Sequence, residues 1–498
     1  MIKLLKHLES RKEFWFLFTT SVVFFFLRLP SFFEPYWYGD EGIYEVIGFA
    51  LNKGRGLYTG IWDNKPPLLY VIYAIAGGDQ PTVKIFSLVI GIFTLLAFFL
   101  LAKKLFIRQK PTFIATAIFL LLFAIPLLEA NIANAENFML LPIILAGFVL
   151  YKIGFKQQPT TSPLLLCAGV LLGLAFLFKI VAVFDLVAFI VFLIVTKLPK
   201  KLSWKFIRKL LTTSELRSFL LLILGFSLPL FVTIIYFAAN GALTNFFQAT
   251  FLGNIDYVGW KNTLFGIPQG LLFLKLFVLL LTITLIIRLR NRLTAPILFI
   301  LTWLIFSLFN VYFSGRPYTH YALVLLPNFC LFIGLLFTKQ PTIYKINSTI
   351  VGLLLIITLA FHFSLNPMRS YLYYQNFLQF VSNQKSTEAY QSFFDPNVPR
   401  DYALATFIRS NTTTKDPVFI WGNNPQIYVL SHKLPLGRYT VAYHVSQNNA
   451  LNETQQLLNK IKPKYIISLD KTQPLPFAVP LYIMRYDVSG ATIYERSF

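Results

Sequence analysis

Long apolar runs recur from Phe14 to Phe363, and they constrain the fold before any motif is considered. The first follows a basic start (Lys3, Lys6, Arg11, Lys12) and ends at Pro30; others cover about Val83 to Phe106, Thr112 to Leu128, Phe138 to Tyr151, Pro163 to Phe178 and Ile180 to Val195. Beyond a basic loop they continue from about Phe219 to Ala239, Leu264 to Ile287, Pro296 to Phe313, Tyr321 to Phe337 and Ile350 to Phe363. At about 1.5 Å per residue, roughly 17 residues is the shortest helix that crosses a hydrocarbon core. These runs predict an α-helical polytopic membrane protein with about 11 transmembrane helices, several near that lower limit. No small-residue cleavage site follows the basic start, so it reads as a first span entering from the cytoplasm and not as a signal peptide.

Charge supports this reading. Only 13% of the residues are charged, against roughly 25% in soluble domains. The net charge of +23 suggests nucleic acid at first sight. Binders of nucleic acid, however, gather their basic residues on one soluble face. Here Lys103, Lys104 and Arg108, then Lys152 and Lys156, then Lys197 to Lys209, then Arg288, Arg290 and Arg292 fall in loops on one side of the predicted topology. That is the positive-inside pattern of a multi-pass plasma-membrane protein, and it points to anionic lipid, with no nucleic acid partner. KLPKKLSWKFIRKLL, Lys197 to Leu211, reads as a basic amphipathic helix resting on the lipid surface. The two cysteines, Cys167 and Cys330, lie within apolar runs and predict neither a disulfide framework nor a thiolate metal site.

From about Asn366 the apolar runs give way to short strand-like segments (VFIW, YIIS, ATIY) and helical patterns near Tyr402 to Arg409 and Asn452 to Ile461. The division expected is a transmembrane domain over residues 1–365 and a small α/β domain over 366–498. An odd number of crossings puts the C-terminal domain outside the cell. It holds no glycine-rich fingerprint and no His/Cys metal pattern.

The first outer loop, about 33–80, concentrates charge that the rest of the chain lacks: Asp40, Glu41, Glu45, Asp63 and Lys65 within Tyr36 to Tyr70. Ionisable groups at a membrane boundary are costly to desolvate, which makes them candidates for chemistry. Asp40 and Glu41 precede IYEVIGFALNK, a stretch with helical spacing that suits an interfacial helix. Asp40 then reads either as the N-cap of that helix or as a rigidly held acid-base group. In Asp63-Asn64-Lys65-Pro66-Pro67, Pro66 restricts Lys65 to an extended conformation at a helix start. A phosphate would meet both an ammonium and a helix dipole there, while the alternative is a lysine snorkelling from a turn. Glu129 and Glu136 flank ANIANA as a second outer carboxylate site or as plain loop charges. Lys179 fits an outer turn between two spans. In SGRPYTHYALVLLP, Arg316 offers a planar multi-donor fork for phosphate, with His320 and Tyr321 as further donors.

Together these residues resemble the GT-C membrane glycosyltransferases, in the branch of protein O-mannosyltransferases and the aminoarabinose transferase of lipid A. The likeness is carried by Asp40-Glu41, by Asn64-Lys65-Pro66-Pro67-Leu68, and by Arg316 with His320-Tyr321 ahead of Pro327. Glu136, GLAFLFK ending at Lys179, and WGNNPQIYVLSHKLPLGRY (Trp421 to Tyr439) add to it. Where the family has an acidic residue directly before the lysine, this chain has Asn64, with Asp63 one position earlier. The resemblance implies transfer of a sugar from a polyprenyl-phosphate donor, a co-substrate and not a cofactor, to a lipid, glycan or protein acceptor at the outer face. A metal is not expected. It implies catalytic roles for Asp40, Glu41 and Glu136, binding of the donor phosphate by Lys65, Arg316, His320, Tyr321 and Lys179, and support from Asp63 and Asn64. A transporter or flippase of a lipid-linked sugar is the alternative. Transporters, however, tend to carry ionisable groups at the bilayer midplane and inverted repeats, and neither is read here. A glycan receptor with a membrane anchor would need fewer crossings.

Overall fold

The computed structural model describes residues 12–155, 163–198, 214–255, 258, 262–339 and 341–497. Lys3, Lys6, Arg11, Lys156 and nearly all of the amphipathic segment predicted over Lys197 to Leu211 lie outside these residues. Among the described residues, eight helices are long and apolar enough to cross a membrane: Lys12–Phe33, Gln80–Phe106, Ala135–Gly154, Ile180–Lys197, Leu216–Ala239, Gly270–Arg292, Ala295–Phe313 and Lys345–His362. Three shorter apolar helices, Gln109–Ala124, Pro163–Phe178 and Thr319–Leu335, fall on the remaining predicted runs. The protein is a polytopic helical membrane protein.

Several predicted boundaries move, among them that expected at about Ile350, where the helix begins at Thr342. The run expected from Leu264 becomes helical only at Gly270. Phe265 and Gly266 take positive φ (49° and 77°), and Leu264 and Ile267 close a tight turn with reciprocal backbone bonds of 3.1 and 2.9 Å. Two consecutive left-handed residues are incompatible with an α-helix, whatever their hydropathy.

By its contacts the chain forms two compact units, neither continuous in sequence. The first comprises Met1–Leu29, Phe86–Tyr236 and Gly253–Ser370 and holds most of the apolar helices. Its helices pack through small residues and rings. Gly169 and Gly173, a GxxxG pair, and Gly225 sit where Pro163–Phe178 meets Ser214–Ala239. A Cβ at Gly169 or Gly173 would strike the backbone of Leu222 or Phe226. Such close crossings hold helices together where lipid removes the hydrophobic drive. Elsewhere Phe189 stacks on Phe299 at 5.7 Å, and the Trp303 indole donates to Asp185 at 2.7 Å, which satisfies one buried carboxylate oxygen.

The second unit comprises Pro30–Ile85, Phe237–Leu252 and Tyr371–Phe498. It contains the helix Gly39–Asn52, packed on Pro67–Ile75, and a four-stranded sheet. The strands are β1 (Val418–Trp421), β2 (Tyr465–Ser468), β3 (Tyr482–Val488) and β4 (Ala491–Arg496), in spatial order β1-β2-β4-β3. β1 and β2 run parallel, with Val398–Asn411 and Leu451–Ile461 among the helices of the same unit; β4 is antiparallel to both of its neighbours. The sequence reading found β1, β2 and β4 and missed β3. β3 is an edge strand, largely exposed on both faces, so it shows neither a buried run nor an alternation.

Candidate functional site

The charged loop becomes a layered cluster of acids, lysines and tyrosines within the second unit. Asp40 is not the N-cap of its helix. The cap position is Tyr38, which makes no side-chain cap bond, and the Tyr38 carbonyl accepts from Gly42 N at 2.9 Å. Asp40 and Glu41 therefore both lie in the first turn, favourably placed for the helix dipole. The Asp40 carboxylate accepts from the Tyr44 hydroxyl one turn on, at 3.2 Å.

Lys65 lies between two carboxylates, its Nζ 3.7 Å from Asp40 Oδ2 and 3.8 Å from Asp63 Oδ2. The expected proline effect is present in a shifted form: Pro66 is the extended N-cap residue (φ −61°, ψ 159°), and the helix begins at Pro67. The lysine backbone is pinned on both sides, since its carbonyl accepts from Tyr58 at 2.7 Å and its N–H donates to the Tyr70 hydroxyl at 3.2 Å. The ammonium also sits 4.8 Å over the Tyr44 ring, a cation–π placement. Asp63 is buried, and its Oδ2 accepts from Tyr70 at 2.6 Å. Burial, and after it the nearby aspartates, pushes the Tyr44 and Tyr70 hydroxyls well above their ordinary range, so both remain donors. Asn64, the position that departs from the family pattern, is half-buried beside them.

Glu41 points to a different network. It pairs with Lys84 at 2.8 Å, and Lys84 also stands 3.5 Å from Glu34. Glu34 accepts from Tyr373 at 2.5 Å and from Trp37 at 3.2 Å. Glu45, one turn past Glu41, is buried, and neither of its oxygens has a hydrogen-bond partner among the described residues. Burial first, then Glu41, pushes its carboxyl well above the usual range against the pull of Lys84. Sequence reasoning passed over Glu34 and Lys84. The signal available was a lysine at the start of the apolar run from Val83.

The remaining predicted residues form a second cluster, within the first unit. Glu136 opens the helix Ala135–Phe155 and is ion-paired with Lys179. Lys179 is extended (φ −156°, ψ 127°) between Pro163–Phe178 and the turn Ile180–Ala182, the predicted inter-span position. Its ammonium also lies 4.0 Å over the Tyr321 ring. His320 is buried between two acids, with Nδ1 2.9 Å from Glu129 Oε2 and Nε2 4.0 Å from Glu136 Oε1. Glu129, which the sequence left open as a plain loop charge, is thus a partner of His320. Tyr318 stacks on His320 at 5.8 Å and Tyr321 meets it edge-on at 4.8 Å. Arg316 is half-buried in the turn before these residues, its backbone N–H donating to Ser314 Oγ at 3.3 Å. Among the described residues, no group of three or more His, Cys, Asp and Glu is arranged to hold a metal ion.

His444 is the one member of the first cluster with no local sequence signal. It lies just over 400 residues from Asp40, yet its Nε2 stands 3.6 Å from Asp63 Oδ1.

Residues 65–224 match the family described as dolichyl-phosphate-mannose-protein mannosyltransferase. No curated protein matches the sequence. Among solved structures, ArnT from Cupriavidus metallidurans bound to undecaprenyl phosphate superposes with a TM-score of 0.55 at 12% identity, covering 96% of this chain and 97% of that one. The apo state of the same protein gives 0.51 at 13% identity, covering 95% and 97%. The chain is thus a polytopic helical membrane protein with a fold like that of ArnT, and over residues 65–224 it is similar to the protein mannosyltransferase family.

Proposed function

We propose that the protein is a membrane glycosyltransferase that moves a sugar from a polyprenyl-phosphate carrier to a hydroxyl on a lipid, glycan or protein acceptor. The observation that carries this reading is the Asp40 carboxylate, half-buried in the first turn of its helix with the Lys65 ammonium 3.7 Å away, in a chain with this fold. The matched ArnT was crystallised with undecaprenyl phosphate, which supports a carrier of that class.

In the proposed step the acceptor oxygen attacks the anomeric carbon, the bond from that carbon to the phosphate oxygen breaks, and polyprenyl phosphate leaves. Asp40 takes the proton of the acceptor hydroxyl, a role worth roughly 10²- to 10⁴-fold. Lys65 offsets the charge that grows on the departing phosphate, and preorganised cations in a low-dielectric setting are worth far more than in water. In the first unit, Glu136 holds Lys179, and with Arg316, His320 and Tyr321 they form a second candidate anion-binding group. Glu41 acts by holding the first turn of the Asp40 helix through Lys84, and Asp63 and Asn64 support Lys65. The basic loops at Lys103, Lys104 and Arg108 and at Arg288, Arg290 and Arg292 favour a cytoplasmic N-terminus and an outer face for Asp40 and the C-terminal segment.

Purified protein with a radiolabelled polyprenyl-phosphate sugar and a panel of hydroxyl acceptors tests the proposal. New glycosidic product is expected from the wild type and almost none from Asp40→Asn or Lys65→Ala. Unchanged transfer by both variants would sink the site assignment. Movement of the labelled lipid across liposomes with no new glycosidic bond would replace the reading with a flippase.

A further inference from the structure

His444 is placed with more care than packing alone requires. It lies in the short helix Ala442–Gln447, which is anchored by the bond from Ala442 N to the Gly422 carbonyl at 2.9 Å. Its ring is held edge-on by Trp62 at 4.9 Å and by Tyr443 at 4.5 Å, and the Trp62 backbone N–H in turn bonds the Arg438 carbonyl at 2.8 Å. Nε2 faces Asp63 Oδ1 at 3.6 Å, while Asp63 Oδ2 receives Tyr70 and stands 3.8 Å from Lys65. Nδ1 is buried and has no hydrogen-bond partner among the described residues.

That last fact selects the tautomer. A buried N–H without an acceptor is rarer and costlier than a bare acceptor lone pair, so the proton belongs on Nε2, where a carboxylate faces it. The charged groups facing the ring are Asp63, Lys65 and Asp40. Burial pushes the imidazole down to about 4, with Lys65 adding to that effect and Asp63 and Asp40 opposing it. His444 is therefore a neutral donor at physiological pH.

We propose that His444 is a positioning residue for the transfer reaction: its Nε2–H edge, 3.6 Å from Asp63 Oδ1, orients the Asp63 carboxylate electrostatically, and Asp63 with Tyr70 holds Lys65 against Asp40. The inference rests on the function proposed above and deepens it, since it makes the C-terminal segment part of the reacting array and not only a cover. His444 touches no reacting atom. It acts through Asp63.

The test uses full-length protein in detergent, with steady-state kinetics across pH for H444N, H444Q and K65A. The glutamine amide reaches the place of Nε2 and the asparagine amide does not. H444N is expected to lose about 10-fold in kcat, equivalent to ~1.4 kcal/mol of barrier, with a smaller change in KM for the donor. Its pH profile should also differ from that of the wild type. H444Q should restore most of the rate and the wild-type profile. Wild-type kcat and pH profile in H444N, alongside an inactive K65A, would overturn the role of His444 alone; an active K65A would remove the reading beneath it. Should H444N fail to fold, H444Q and H444M, alike in volume and differing in the donor, decide the matter on the same readouts.

Discussion

Asp40 and Glu41 are neighbours in one helical turn, and each meets a lysine. The two pairs are built in opposite ways. Glu41 and Lys84 are 3% and 0% exposed and stand 2.8 Å apart, with Glu34 completing the set. Asp40 and Lys65 are 35% and 21% exposed and 3.7 Å apart, and Lys65 is shared with Asp63 at 3.8 Å. A tight, dry ion pair is committed: the desolvation already spent on both charges is recovered only while they stay together. A longer, half-solvated pair holds its cation in place yet leaves little to lose when a new anion arrives. The comparison favours a stabilising role for Glu41 and Lys84 and supports the chemistry proposed for Asp40 and Lys65.

The sharpest way to break this contrast is Asp40→Asn. Its kcat should fall by about 10²- to 10⁴-fold, while thermal unfolding changes by under about 1 kcal/mol, as for an exposed pair. A large stability loss instead would make Asp40 structural. Next in size, Lys84→Met should destabilise the protein by about 3–5 kcal/mol, because Glu34 and Glu41 are left buried without a cation. Denaturant unfolding in detergent measures it, and Lys65→Met under the same conditions should show little. If the two lysines lose equal stability, the contrast collapses.

A third test uses pH. The imidazole of His444 sits at about 4 in the folded protein against 6.5 for the free group, so between those values the unfolded chain binds the proton better. Its contribution is intact above about pH 6.5 and is lost as the pH falls towards 4, where the cost reaches about 3 kcal/mol. The melting temperature of H444Q should fall less steeply over that window than the wild type, and parallel curves would refute the buried neutral imidazole. The smallest effect concerns the scaffold that both pairs share. Gly48 packs where an added Cβ would stand 2.6 Å from the Tyr73 carbonyl carbon and oxygen. Gly48→Ala should push Gly39–Asn52 off Pro67–Ile75 at about 1–3 kcal/mol, with a loss of transfer activity that exceeds the loss of stability.

How much of this was legible in the sequence differs by residue. Asp40, Glu41, Asp63 and Lys65 were visible because carboxylates and an ammonium beside apolar runs are rare. Which of Asp40 and Glu41 faces the exposed lysine was not visible. Successive helical residues point about 100° apart, so adjacent acids must meet different surroundings, and the helix sequence does not name those surroundings. The N-cap reading of Asp40 yielded for a local reason: the chain enters the helix two residues earlier, at Tyr38. Glu136, Lys179, His320 and Tyr321 were each identified singly; that they meet as one cluster, with Glu129 added, was not.

The membrane class and the apolar helices were determined by the sequence alone, because partition into hydrocarbon depends on the composition of a local run and every backbone group in it must be satisfied within the helix. The tertiary structure decided the partners. Lys84 meets Glu34 across 50 residues, Lys179 meets Glu136 across 43, and His444 meets Asp63 from the far end of the chain. An ion pair or a close polar contact depends on separations of a few ångströms and on the dielectric around them, and both quantities exist only once distant segments have packed.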